Sequence, residues 1–132
     1  MQRQLISSNT PWERMAGYSR AVRVGDAVYV AGTTASDAEG NIQHPGDAAG
    51  QAIYIFRKIE AALIEAGASL ADVVRTRMFV RNIEDWEAVG RAHGSVFAEI
   101  RPASTLLQAT PITPEMLVEI EVDAVISERV KR

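Results

Sequence analysis

The sequence predicts an α+β fold, a mixed sheet with two helices on one face, and three observations predict it. Apolar and polar residues alternate with the two-residue period of a half-buried strand in VVRTRMFVR at 73–81 and in VEIEVDAV at 118–125. Apolar residues recur at helical spacing between Ala52 and Ala66 and again between Trp86 and Phe97. These segments interleave along 132 residues, enough chain to bury about two-thirds of its unfolded surface without a disulfide or metal staple. Residues 1–132 are therefore read as a single domain.

Residues 2–7, QRQLIS, predict a short edge strand, which the turn formers SSNTP interrupt. Trp12 and Glu13 follow in a segment read as irregular. Trp12 is taken as a hydrophobic plug in preference to a pocket wall, since large aromatics are more often packing than recognition. From Tyr18 to Gly32 the sequence YSRAVRVGDAVYVAG reads as a hairpin turning at Gly25-Asp26, with Val22, Val24, Val28 and Val30 alternating on either side. Thr33, Thr34 and Ala35 then leave the strand. Gly32 beside them lets a ligand or another chain approach the backbone closely.

A loop, SDAEGNIQHPGD, leads to a helix of about twenty residues. Asp47 is its expected N-cap, Ile55, Phe56, Ile59 and Leu63 its buried stripe, and Gly67 its stop. His44, before a proline in the loop, is read as exposed. In the strand 73–81, Val74, Thr76, Met78 and Val80 face one way, and Val73, Arg75, Arg77, Phe79 and Arg81 the other. Asp85 is expected to cap a second helix, with Trp86, Val89, Ala92 or His93, Val96 and Phe97 buried. Gly90 and Gly94 weaken that helix by roughly 1 kcal/mol each relative to alanine, which points to close packing there. The stretch 101–123 completes the sheet with two strands joined by a proline-bounded turn. Ser104 and Thr105 lie in the first strand, and Glu119, Glu121 and Asp123 on one side of the second.

Two helices on one face leave the other face of the sheet bare, carrying Arg75, Arg77 and Phe79 opposite Glu119, Glu121 and Asp123. Opposite charges mixed with apolar residues suit contact between copies of the chain, so a homo-oligomer is expected. Glu121 and Asp123 are assigned to that contact.

Composition narrows the function classes. Cysteine is absent, which excludes disulfides, thiolate nucleophiles and cysteine metal clusters; no metal or cofactor is expected. The N-terminus has no signal-peptide layout and no apolar run is long enough to span a membrane, so a cytoplasmic protein without a membrane partner is the expectation. Fourteen basic and seventeen acidic residues give a net charge of −3, the wrong sign for a protein that depends on neutralising phosphates, so nucleic acid is not the expected partner. The clusters Arg14, Arg20, Arg23 and Arg75, Arg77, Arg81 are read as solvated faces or subunit salt links. His93 admits two readings, a general acid or base at neutral pH and a packed, hydrogen-bonded residue.

Six segments, in order and nearly spanning the chain, resemble the Rid/YjgF family of reactive-intermediate (imine/enamine) deaminases, also labelled endoribonuclease L-PSP. They are GYSRAV at 17–22, VYVAGTTA at 28–35, EAGASLADVVRTRMFV, DWEAV, RPAST and VEIEVDAV at 118–125. The resemblance implies a chorismate-mutase-like sandwich assembled as a homotrimer, with small-molecule pockets in the subunit clefts. It implies Glu119 as the glutamate that positions the attacking water, with Tyr18 and the strand-end Gly32 in the pocket. The implied substrate-binding set is Tyr18, Gly32, Thr33, Ser104, Thr105 and Leu106, and His93 joins Glu119 as a catalytic candidate.

In one respect the chain departs from the family pattern. Deaminating members read the substrate carboxylate with an arginine in a Pro-Ala-Arg-Ser segment, and Ser104 stands at that position, fifteen residues before Glu119 with no gap. Replacing a charge-assisted contact by a neutral hydroxyl weakens binding of a 2-imino acid by roughly tenfold to a hundredfold. The expected function is therefore hydrolysis of a reactive imine, enamine or related small metabolite other than a 2-imino acid. A non-catalytic small-ligand-binding trimer is the alternative, and an endoribonuclease the third reading.

Overall fold

The computed structural model describes residues 2–127. Its elements in chain order are β1 (Arg3–Ile6), α1 (Pro11–Ala16), β2 (Ala21–Val24), β3 (Ala27–Thr33), α2 (Ala48–Glu65), β4 (Val73–Val80), α3 (Trp86–Phe97), β5 (Ala103–Gln108) and β6 (Val118–Val125). The strands form one six-stranded sheet in the order β1-β2-β3-β6-β4-β5. Only β4 and β5 run parallel; the other neighbours are antiparallel, so the sheet is mixed.

The core lies between this sheet and the two long helices. Val118, Ile120, Val122 and Ala124 of β6 meet Val28 and Val30 of β3, and α2 covers them with Ala52, Ile55, Phe56, Ile59 and Leu63, all buried. Each valine, isoleucine, leucine or phenylalanine among them contributes about 1.5–3 kcal/mol on burial. α2 starts where Asp47 accepts a hydrogen bond from the Gly50 N–H at 2.9 Å and ends before Gly67, whose φ of 87° suits a residue without Cβ. Val24 pairs with Ala27 across the Gly25-Asp26 turn, and Gly25 takes φ 60°.

Five details differ from the sequence expectations. The segment after SSNTP is a helix, not irregular: Thr10 caps it, Pro11 occupies its first turn, and Glu13 stands where a T-x-x-E capping pattern places it. Val74 is an extra residue against β6, because Val73 pairs with Ala124 and Arg75 with Asp123; this bulge turns Val73 into the core and Val74 out. Asp85 precedes α3 but makes no side-chain cap bond, since the turn Ile83–Asp85 already has helical form. Trp86 is 56% exposed, leaving Val89, Ala92 and Phe97 as the buried residues of α3. Nothing lies within 4 Å of where a Cβ would stand on Gly90 or Gly94, so neither marks close packing within the chain.

The arginine clusters are structural as well as solvated. Arg23 donates to the carbonyls of Gly25 at 2.9 Å and Ala66 at 2.7 Å, and Arg77 reaches Glu121 and Asp123 at 3.3 Å each on the open face of the sheet. Arg81 holds the long β5–β6 connection by donating to the carbonyls of Pro111 at 2.8 Å, Thr113 at 2.7 Å and Met116 at 3.0 Å. Fully buried Gln51 ties the same connection to α2, donating to the Glu115 carbonyl at 3.0 Å and accepting from the Leu117 N–H at 2.9 Å. Among the described residues no helix is long and apolar enough to cross a membrane.

Replacing Arg81 with Met removes three charge-assisted bonds and strands their carbonyls, and is expected to lower unfolding stability by about 2–4 kcal/mol. Urea unfolding measures it. A change within about 0.5 kcal/mol, the level of an ordinary surface substitution, contradicts the staple.

Candidate active site

A small cavity of about 60 Å³ opens between α1, the end of β3 and the β5–β6 connection. Trp12, Ile112 and Met116 supply its apolar walls, and Tyr18, Arg20, Thr34, Ser36 and Glu119 its polar ones. Its size admits a few waters or a compact planar molecule. A larger open groove of about 620 Å³ runs over the bare face of β1, β2 and β3 and includes Glu121 and Asp123, but not Glu119. The smaller cavity is the one that holds Glu119 together with Arg20 and Tyr18.

Local folding explains each wall. Glu13, 5% exposed, accepts bonds from the hydroxyls of Ser7 at 3.1 Å and Thr10 at 2.9 Å, the Ser8 N–H at 3.2 Å and the Ser8 hydroxyl. Burial alone raises its pKa; the donors from Ser8, Thr10 and Ser7 outweigh that and hold the carboxyl below the ordinary value. This knot wraps 7–10 around α1 and sets Trp12 against the cavity. Trp12 is thus a half-buried pocket wall, not the plug expected from sequence.

The floor is a β-bulge. Val30 pairs with Val122 and Thr33 with Ile120, so Ala31 and Gly32 together oppose Glu121. A Cβ on Gly32 would collide with the Glu119 Oε2, so the glycine makes room for that carboxyl. Arg20 donates from Nη2 to the Gly32 carbonyl at 2.6 Å, and its guanidinium carbon lies 5.9 Å from the Tyr18 ring centre. Lys58 of α2 donates to the carbonyls of Thr34 at 2.7 Å and Ser36 at 2.8 Å and to the Ser36 hydroxyl at 3.2 Å. Burial, then the neighbouring Arg20 charge, brings Lys58 down to about 8.

Glu119 is half-buried on β6. Burial raises its pKa, Arg20 pulls it back and Glu121 pushes it up again, with a net upward shift. A carboxyl held between these influences can accept a hydrogen bond from water and take up its proton. Among the described residues, no three His, Asp or Glu side chains converge as a metal cluster would require.

The other expected site residues lie elsewhere. Within one chain Tyr18, Gly32 and Glu119 come together; Thr33, Ser104, Thr105, Leu106 and His93 do not. The bulge turns Thr33 into the core, where it is 1% exposed and its hydroxyl donates to the Ala31 carbonyl at 2.8 Å. Leu106 packs against the core, and Thr105 is exposed beside Arg77. Ser104 pairs with Thr76, whose side chain faces the helices, whereas Glu119 pairs with Phe79 on the opposite face. Thr76 donates to the Ser104 Oγ at 2.7 Å and shares a 2.9 Å bond with the His93 Nε2. The His93 ring lies against Phe56 and Phe97, and burial lowers its pKa, so it is a neutral, packed histidine across the sheet from Glu119.

Sequence reasoning missed Arg20, Lys58, Thr34, Ser36, Ile112 and Met116. A signal existed for Arg20: it stands two residues after Tyr18, and alternation places the two side by side. Lys58 carried none, being one cation on a helix full of surface positions.

The sequence profile of the family described as Endoribonuclease L-PSP matches residues 9–126. The 3-aminoacrylate deaminase RutC of Acinetobacter baylyi is 33% identical over 116 residues, covering 88% of this chain and 91% of its own. Protein SCO2049 of Streptomyces coelicolor is 39% identical over 120 residues, covering 90% and 89%. Among solved structures, Rv2704 of Mycobacterium tuberculosis, a member of the YjgF/YER057c/UK114 family, superposes with a TM-score of 0.86 at 45% identity over 95% of this chain and all of its own.

The raised pKa of Glu119 has a definite sign for stability. The folded carboxyl keeps its proton to a higher pH than the unfolded one, so its contribution is full below the unfolded value and is lost as pH rises through the folded value. Glu119→Gln removes the cost of an ionised buried carboxylate, so its melting temperature at pH 7 is expected to equal or exceed the wild type's. The advantage shrinks toward pH 4; a variant several degrees less stable at pH 7 contradicts the assignment.

Proposed function

The chain belongs to the Rid/YjgF family, the endoribonuclease L-PSP family, and from that premise we propose that it hydrolyses a small reactive imine or enamine at Glu119. The observation that carries the reading is the half-buried Glu119 carboxyl, its proton affinity raised, set over Gly32 in a small cavity walled by Trp12 and Tyr18.

The chemistry asks little of the protein. An enamine takes a proton on carbon to become an iminium. The ionised Glu119 accepts a hydrogen bond from a water, removes its proton as the oxygen attacks the C=N carbon, and returns that proton to the nitrogen. The carbon–nitrogen bond then breaks as the Glu119 carboxylate takes the hydroxyl proton, releasing ammonia and leaving a carbonyl. Placing one water and holding one electrophile suffices, because imines already hydrolyse in water.

The substrate proposed is other than a 2-imino acid. Ser104 stands where the resemblance puts the carboxylate-reading arginine, and its hydroxyl is engaged with Thr76. RNA cleavage is not proposed: the cavity is too small for a nucleotide and the net charge is −3. The proposed assembly is a homotrimer. Leu5, Tyr29 and Leu107 are exposed apolar residues beside the Arg77–Glu121–Asp123 group, a mixture suited to a subunit contact.

Ammonia release from 3-aminoacrylate and from 2-iminopropanoate, each generated in place, tests the reading. Acceleration over buffer is expected for the first, and Glu119→Ala should lower the rate by about a hundredfold or more. Saturable binding of such compounds without turnover would instead favour a ligand-binding protein. Light scattering should give three times the 14.4 kDa chain mass, and a one-chain mass at micromolar concentration sinks the trimer.

A further inference from the structure

Past Gly32 the chain leaves the sheet. Thr33 makes the last β3 pair, with Ile120, and the residues that follow supply two walls of the cavity, Thr34 and Ser36. What fixes these walls comes from the helical layer. Lys58 on α2 donates to the Thr34 carbonyl at 2.7 Å, the Ser36 carbonyl at 2.8 Å and the Ser36 hydroxyl at 3.2 Å. An ammonium has three donors and no acceptor, so all of its hydrogen bonding is spent on this one segment. Ala35 between the two walls is fully buried, and its carbonyl accepts from the Gln43 N–H at 2.8 Å. Among the described residues no carboxylate forms an ion pair with Lys58. The charges that act on it are Arg20 before β2, Asp37 in the loop and Glu13 of α1, while β3 and β6 beneath α2 present apolar side chains. The cation is thus half-buried and held by oxygen dipoles.

Neutral Lys58 has two donors and a lone pair, so one of the three oxygens would then face a lone pair and the segment 34–36 would have to shift. Such a shift falls on the cavity, because Thr34 and Ser36 line it together with Gly32, against which the Glu119 Oε2 lies. We propose that the Lys58 ammonium is a positioning residue for the chemistry at Glu119: it lines no part of the cavity itself, and by holding Thr34 and Ser36 it keeps the shape that sets the electrophile against the water. The inference rests on the reading of Glu119 as the water-handling group. It adds a requirement for a charge in the helical layer, away from the reacting atoms. Burial, then Arg20, brings the Lys58 pKa down to about 8, so the charge is lost within an accessible pH range. Position and stability respond to that loss with opposite signs. Between about 8 and the ordinary lysine value the unfolded chain keeps this proton and the folded chain has released it, so the group adds stability as pH rises. A fall in activity over that interval is loss of position, not unfolding.

Ammonia release from 3-aminoacrylate generated in place, corrected for the buffer rate and followed from about pH 6 to about pH 10, is the first measurement. The wild-type rate should fall with a midpoint of about 8, and the melting temperature should not fall with it. Lys58→Met should run at least roughly tenfold slower at pH 7. Lys58→Arg, which stays charged, should recover part of that rate and carry the alkaline limb away from pH 8. A second readout needs no turnover and no variant. In wild-type protein the Lys58 Cε resonance should titrate at about 8, and the Thr34 and Ser36 amide resonances should move with the same midpoint. Amides that stay still while Lys58 titrates, an alkaline limb unchanged in Lys58→Arg, or a melting temperature that drops in step with the rate overturns the proposal; the amides decide if neither variant folds. Absence of any acceleration by wild-type protein, with the 34–36 amides still following Lys58, would sink the role of Glu119 and leave Lys58 as the residue that sets the wall.

Discussion

Everything in the cleft depends on the two faces of β6. Val118, Ile120, Val122 and Ala124 are held under α2, and a one-residue slip of this strand would put all four in water and three carboxylates in the core. Their burial therefore fixes the register to β3 and β4 against any local preference of the acidic side chains. With the register fixed, Glu119, Glu121 and Asp123 have no choice of face. The last two find arginines on β4. Glu119, opposite Phe79, has none beside it and lies over the bulge at Ala31–Gly32.

That difference in neighbours separates the two paired carboxylates from Glu119. Glu121 and Asp123 sit at 3.3 Å from a guanidinium in partly exposed surroundings, where such pairs contribute at most about 1 kcal/mol. Glu119 is desolvated, with a cation near enough to be felt and too far to pair, so its proton affinity stays raised. The surrounding supports are polar and rigid. Lys58 clamps the chain after β3 to α2, Gln51 and Arg81 clamp the β5–β6 connection, and the Glu13 knot fixes α1. A cleft built of loops is thereby held by side chains that originate in helices and strands.

Periodicity made most of the sheet and both long helices legible, because each buries one face against a common core. Asp47, Gly67 and the Gly25-Asp26 turn were legible for the same local reason: their backbone geometry favours those residue types. What escaped was decided by pairing at a distance. The bulges at Val74 and at Ala31–Gly32 reverse which side chains face inward; Gly32 is a signal for the second, and nothing within β4 announces the first. The parallel register of β5 on β4 sends Ser104 toward His93 and away from Glu119, so two residues expected in one pocket lie on opposite faces. Arg20 looked like a surface charge because its burial is produced by Gly32 and Tyr18, which reach it only after the hairpin has closed. The helix α1 is the one element whose signal was present and overlooked: Thr10-Pro11-Trp12-Glu13 carries both a cap and a first-turn proline, hidden behind a run of turn formers.

The most direct test of the central claim, that small-molecule chemistry is confined to the cavity between Trp12 and Glu119, is a crystal structure with a non-hydrolysable three-carbon carboxylate bound. The account predicts the ligand in that cavity with its third carbon facing the Glu119 carboxyl. A ligand seated instead beside Ser104 and Thr105 on the edge of β5, with the Trp12 cavity filled only by water, would contradict it.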